Sequence, residues 1–186
     1  MSLVLNGSGS ITGLSAGGLP DGSVTADDIA STLDLSGKTV TLAAGGTGYG
    51  KVLQVVNADT STQVGVSSNS FTDTGLTATI TPTSATSKIL VIVHQNGCGK
   101  LSTGIVGIRL YRGATEIAQI VNIGAYTGGS STSNYIGSCS ISYLDSPATT
   151  SATTYKTRVH SENNTSAAYV QIASEKSTIT LMEIAA

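Results

Sequence analysis

The stretch SKILVIVHQ, residues 87–95, contains a continuous apolar run from Ile89 to Val93. A short run of β-branched and leucine residues bounded by turn-forming clusters is typical of a buried strand rather than a helix. We therefore predict a central β-strand here, covered on both of its faces.

Strand-like segments continue on both sides of this run. Alternation with a period of two marks several of them, for example Leu76, Ala78 and Ile80, and clusters such as NADTST and SENNTSA separate them. The ten predicted strands are 51–57, 62–67, 76–82, 87–95, 104–112, 114–123, 133–144, 153–161, 167–173 and 177–184. Short strands at this spacing, without helical periodicity or a long repeat, predict an all-β, jelly-roll-like antiparallel β-sandwich over residues 51–186.

Residues 1–50 have a different texture, because short apolar pieces alternate with Gly and Ser. We predict an extended N-terminal segment that contains one short helix at about 25–35. A Gly-rich spacer at 43–50 then leads into the sandwich domain.

The helix at about 25–35 is predicted from the residues at its N-terminus. Thr25 is a suitable N-cap, and Val24 and Ile29 have the spacing of a hydrophobic staple around it. Ile29 and Leu33 lie on one apolar stripe of a helix that is too short to be stable alone in water. Val24, Ile29 and Leu33 are therefore the candidate residues for docking this segment on a partner.

The composition limits the classes of partner. Charged residues make up 11% of the 186 residues, against about 25% in typical globular domains, and the formal net charge is −2. This balance predicts no nucleic-acid partner and no attraction to anionic membranes. The chain has no apolar stretch near the length of a membrane span, which predicts no membrane insertion, and its start does not resemble a signal peptide. A neutral surface rich in Ser, Thr, Asn and Gly suits an extracellular or virion protein.

Motifs for nucleotides and metals are weak. GGTGYGKV at 45–52 has the glycines and lysine of a phosphate-binding loop, but Val52 replaces the required hydroxyl residue and a strand follows. GCGKLST at 97–103 is interpreted as a turn. We expect His94 and His160 to be ordinary edge or surface residues, a metal site with Cys98 being the alternative.

Two further pairs of side chains carry reactive groups. Cys98 and Cys139 are expected to be free, separate thiols, because one pair in a chain of this length is not a disulfide framework. Asp145 and Glu162 could form the carboxylate pair of a glycosidase, but the SPATT that follows Asp145 favours a turn-forming role. We therefore predict no catalytic, cofactor or metal site.

The segment GAYTGGSSTSNY, residues 124–135, has the composition of an adaptable contact surface, with tyrosines among Ser, Gly and Asn. Tyr126, Asn134 and Tyr135 are the candidate receptor-binding residues. The alternative is a solvated connection in which both tyrosines pack on strands.

Three segments carry a resemblance to a known class of proteins: NGSGSITGLSAGGLPDGSVTADDIASTLDLSGKTVTL at 6–42, YLDSPATTSATTYKTRV at 143–159 and STITLMEIAA at 177–186. Together they resemble virion structural proteins of tailed bacteriophages, in particular tail-fibre or spike-like proteins of marine and cyanobacterial phages. The resemblance implies attachment to other virion proteins through the N-terminal segment. It also implies that the β-domain is displayed outward from the virion and that the protein is a homotrimer, as such proteins commonly are.

The expected function is therefore a short tail fibre or host-recognition adhesin located in the virion and directed at a host-surface glycan or protein. The chain has no long central shaft, which leaves a capsid decoration or cement protein as the alternative. A carbohydrate-degrading enzyme is the less favoured alternative.

Overall fold

Residues 50–185 are described by a computed structural model, and they form ten β-strands without an α-helix among them. The strands are β1 (Val52–Thr60), β2 (Val64–Val66), β3 (Thr72–Ile80), β4 (Lys88–Lys100), β5 (Val106–Arg112), β6 (Thr115–Gly124), β7 (Asn134–Asp145), β8 (Thr153–Ser161), β9 (Ala168–Val170) and β10 (Ser177–Ile184). A single 3-10 turn, Ile172–Ser174, lies between β9 and β10. The ten strands predicted from the sequence are confirmed in number and order.

The strands form two antiparallel sheets. Sheet A has the order β1-β10-β4-β7, and the short strands β9 and β2 extend it beside the far end of β4. Sheet B has the order β3-β8-β5-β6. The four long strands of sheet A and the four strands of sheet B have the order of a jelly roll, so the predicted antiparallel β-sandwich is confirmed.

The apolar run 89–93 forms the first half of β4, which lies between β10 and β7. Ile89, Val91 and Val93 point into the sandwich and are fully buried. They share the larger core cluster with Leu110 and Tyr155 of sheet B. The prediction that this strand is central was correct, but the prediction that both of its faces are covered was wrong. Leu90 and Ile92 lie on the outer face of sheet A and are only half-buried there.

The strand registers define two ends of the sandwich. One end, which we call the base, contains Gly50, the loops 81–87 and 146–152, and Ala185. These segments lie together because Val52 and Lys88 both pair with Ile184, and Ile89 pairs with Asp145. At the other end, the tip, lie the loops 67–71, 101–105, 125–133 and 162–167. Val106 pairs with Ser161 and Gly124, and Lys100 pairs with Asn134. The thirteen residues of β4 separate base from tip by roughly 40 Å, at about 3.3 Å per strand residue.

The predictions for the N-terminal segment concern residues that the structure does not describe. The helix at 25–35, the attachment residues Val24, Ile29 and Leu33, and all of the spacer except Gly50 lie outside the described residues. The division of the chain at residue 50 stays a prediction.

Candidate functional site

The tip is built from four loops that are hydrogen-bonded to one another. The 101–105 and 162–167 loops are joined by the amide of Glu162, which donates to Ile105 O at 3.1 Å, and by Leu101 N, which donates to Ala167 O at 2.9 Å. Asn164 Oδ1 accepts from Asn69 N at 3.1 Å and so joins the 67–71 loop to them. These contacts give the tip a defined surface.

The fourth loop, 125–133, is held by a buried lysine at the end of β4. Lys100 is 1% exposed, and its ammonium donates to Ser102 O at 2.6 Å, to Thr127 Oγ1, and to Ser130 O at 3.4 Å. One side chain thereby ties the 125–133 loop to the 101–105 loop. The sequence predicted a turn at this lysine, and the prediction was wrong because β4 continues through Lys100.

The three candidate receptor-binding residues lie in or beside this braced loop. Tyr126 is 55% exposed and Tyr135 is 60% exposed, whereas Asn134 is half-buried and donates to Ala125 O at 3.4 Å. Ala125 itself has a φ of 58°, a left-handed conformation that is uncommon for a residue with a Cβ. The constrained loop therefore presents Tyr126 to solvent, and Tyr135 is presented beside it from the start of β7.

No protein-family model matches the chain, and no curated protein matches it either. The functional interpretation therefore depends on the chain's own residues.

The carboxylates proposed for hydrolysis do not form a pair. Asp145 is buried at the end of β7, where it accepts from Arg112 Nη1 at 2.8 Å and from the Tyr155 hydroxyl at 2.6 Å. Burial and the contact with Asp145 raise the pKa of Tyr155. Glu162 follows Tyr155 by seven residues along β8, which places the two carboxylates roughly 20 Å apart at about 3.3 Å per residue. A glycosidase pair needs a much shorter separation. The predicted turn-forming role is wrong as well, since both Asp145 contacts join β7 to sheet B.

His160 was predicted to be an edge or surface residue, and this was wrong. It lies on the outer face of sheet B, where the 67–71 loop covers it, with the rings of Phe71 and His160 4.1 Å apart. Room for the imidazole comes from Gly107, since a Cβ there would lie 1.9 Å from Nε2. Burial lowers the pKa of His160, so the ring is neutral at neutral pH. His94 is exposed, as predicted.

The two cysteines are free, as predicted, but they are not separate. Cys98 is fully buried in β4, and the half-buried Cys139 of β7 packs against the same core cluster. Contact with the Cys139 thiol, together with burial, raises the pKa of Cys98. The sequence could not show this contact, because a bulge in the β4–β7 pairing brings the residues together.

Within 50–185, no three His, Cys, Asp or Glu side chains are grouped so that they could hold a metal ion. No helix in this part of the chain has the length and hydropathy needed to cross a membrane.

Proposed function

We propose that the protein is a structural protein of a bacteriophage virion, a short tail fibre or host-recognition adhesin that displays the tip of its sandwich outward. The observation that carries the proposal is that the point where the chain enters the domain and the candidate receptor-binding loop lie at opposite ends of the sandwich. The chain enters at Gly50 in the base, and the candidate receptor-binding loop lies at the tip, roughly 40 Å away along β4. Attachment through residues before Gly50 leaves the tip free to contact a host surface.

The chemistry of the tip supports binding rather than catalysis. Its loops consist mainly of Ser, Thr, Asn and Gly, and two exposed tyrosines supply rigid contact area. Lys100 restricts the loop before any ligand arrives, which lowers the entropy lost on binding. Asp145 is already occupied by a basic and a phenolic partner, which disfavours the enzyme alternative.

The direct test is binding of the fluorescently labelled full chain to a panel of cyanobacterial and marine bacterial cells. We expect the double variant Tyr126→Ala/Tyr135→Ala to bind at least about tenfold more weakly to a cell type that the natural protein binds, since exposed aromatics dominate interfaces of this kind. The matched control is Ile123→Ala, which removes an equally exposed side chain from β6 and should leave binding unchanged. Equal binding by the double variant and the control, or no binding to any cell type, would refute the adhesin proposal.

We further propose that the protein assembles as a homotrimer through an apolar row on the outer face of sheet A. Val55, Met182, Leu90 and Leu144 are directly paired in register and cross four strands near the base. Val55 is 56% exposed and Leu144 is 54% exposed. A continuous row of this kind favours association, and it also fits the alternative of a decoration protein that packs on a capsid.

Light scattering tests the trimer. The natural protein should have three times the 18.7 kDa mass of the chain. Leu144→Asp should shift it to the monomer, because a charge would be buried in the interface. The control Ser140→Asp adds the same charge to the same face of β7, four residues nearer the tip, and should remain trimeric. A concentration-independent monomer for the natural protein would exclude the trimer.

A further inference from the structure

A cavity of about 300 Å³ lies beside Tyr135, on sheet A near the tip. Its floor is the bulged part of β4 at Gly97 and Cys98, one wall is β7, and the other wall is the segment between β9 and β10. The lining residues are Gly97, Cys98, Tyr135, Gly137, Ile172 and Glu175. We call this cavity the Tyr135 trough.

The floor of the trough requires glycine. A Cβ on Gly97 would lie 2.4 Å from Ile172 N, and a Cβ on Gly99 would lie 2.5 Å from Tyr135 Cδ1. The tyrosine ring therefore packs directly on the backbone of β4 at its paired residue, Gly99. Since Tyr135 is still largely exposed, much of its ring remains available to a ligand.

The wall opposite Tyr135 is held in a strained conformation. Gln171, Ala173 and Ser174 have φ values of 53°, 56° and 62°, and none of them is glycine. Left-handed residues with side chains each cost about 1 kcal/mol or more, and they cluster at functional sites where the backbone is fixed in advance. Here they position Ile172 and Glu175 across the trough from Tyr135.

Glu175 supplies the polar group of the trough. Its Oε2 accepts from Gly97 N at 2.9 Å, which fixes the carboxylate against the floor. No donor among the described residues reaches Oε1 within hydrogen-bonding distance. The trough thus combines an aromatic face, an aliphatic side chain and one oriented acceptor.

We infer that the Tyr135 trough binds one neutral hexose ring of a host-surface glycan, an inference that rests on the proposed adhesin function. A pyranose ring has an apolar C–H face that stacks on Tyr135 and contacts Ile172, while a ring hydroxyl donates to Glu175 Oε1. The volume is at the lower end of ligand pockets and suits a single ring. Residues 50–185 carry eight basic and seven acidic side chains, so the domain as a whole has no strong net field for a charged ligand, and Glu175 is the one charged side chain of the trough lining.

The test uses the full chain and three probes: methyl α-D-glucopyranoside, methyl α-D-mannopyranoside and methyl β-D-galactopyranoside. Saturation-transfer NMR should show contact to the ring C–H groups of at least one probe, with a Kd of millimolar order, as expected for a single open subsite. Tyr135→Ala should weaken this binding at least about tenfold, Tyr135→Phe should retain it, and Glu175→Gln should weaken it less than Tyr135→Ala does. Ile123→Ala is the matched control, because it removes an equally exposed apolar side chain from β6, outside the trough.

The inference is overturned if no probe gives saturation transfer, or if Ile123→Ala and Tyr135→Ala weaken binding equally. Its failure can be distinguished from failure of the adhesin proposal by measuring cell binding in parallel. Cell binding that persists without hexoside binding and disappears after the cells are treated with protease identifies a protein receptor. That result leaves the adhesin function in place and removes the glycan.

Discussion

Replacement of Glu183 by alanine is expected to lower the free energy of unfolding by about 3 kcal/mol or more, because a buried carboxylate with several donors would be lost. Glu183 is the last inward-facing residue of β10 and has no exposed surface. It accepts from Thr83 N at 2.7 Å, Thr83 Oγ1 at 2.7 Å and Gln54 Nε2 at 2.6 Å. The alanine variant leaves these donors at the base without their acceptor. A urea denaturation series at pH 7 measures the loss.

The same carboxylate should make stability depend on pH. Burial alone would raise the pKa of Glu183, but the hydrogen bonds from Gln54 and Thr83 outweigh it and lower the pKa from 4.5 to about 2. A lowered pKa stabilises the folded state above the unfolded value of 4.5, and this stabilisation is lost as the pH falls toward 2. The control Glu183→Gln keeps the shape without the charge, so the stability difference between the natural protein and this variant should shrink across that interval. A constant difference from pH 7 to pH 2 would contradict the assignment.

The fold was predictable because its signals are local. The apolar run of β4, the alternation in β3 and the turn clusters between strands each depend on neighbouring residues, and all ten strands were placed by them. What the sequence could not show is how the outer faces are covered. His160 is buried only because Gly107 on the neighbouring strand makes room for its ring and the 67–71 loop closes over it.

The candidate site was predictable in part for the same reason. The composition of the 124–135 segment indicated exposed tyrosines, and Tyr126 and Tyr135 are exposed. Ile172 and Glu175 gave no comparable signal, since the left-handed residues beside them are Gln, Ala and Ser rather than the Gly or Asn that usually mark such positions. Lys100 was missed because a lysine is rarely buried without a carboxylate partner.

Replacement of Lys100 by methionine is expected to release the 125–133 loop while leaving the sandwich folded. The ammonium makes three hydrogen bonds to neutral oxygens, and no carboxylate of residues 50–185 forms an ion pair with it. Two of them, to Thr127 Oγ1 and Ser130 O, hold the 125–133 loop, and at about 1.5 kcal/mol each for a charged donor their loss should favour loop opening about 100-fold. The methionine variant also no longer has the desolvation cost of a buried charge, and this gain offsets the lost hydrogen bonds. The free energy of unfolding should therefore change by no more than about 1 kcal/mol.

Hydrogen exchange and cell binding together decide what Lys100 does. If it braces the loop, amides of 125–133 exchange faster in Lys100→Met, those of β4 and β10 stay protected, and cell binding falls although both tyrosines are present. If protection is lost across the whole domain, Lys100 stabilises the fold rather than the loop. If the loop opens and binding is unchanged, preorganisation of Tyr126 and Tyr135 does not contribute to adhesion. Only faster exchange confined to the loop, together with weaker cell binding, connects the buried lysine to function. In that outcome the loop loses order while the sheets keep their stability, so the loss of binding comes from the loop.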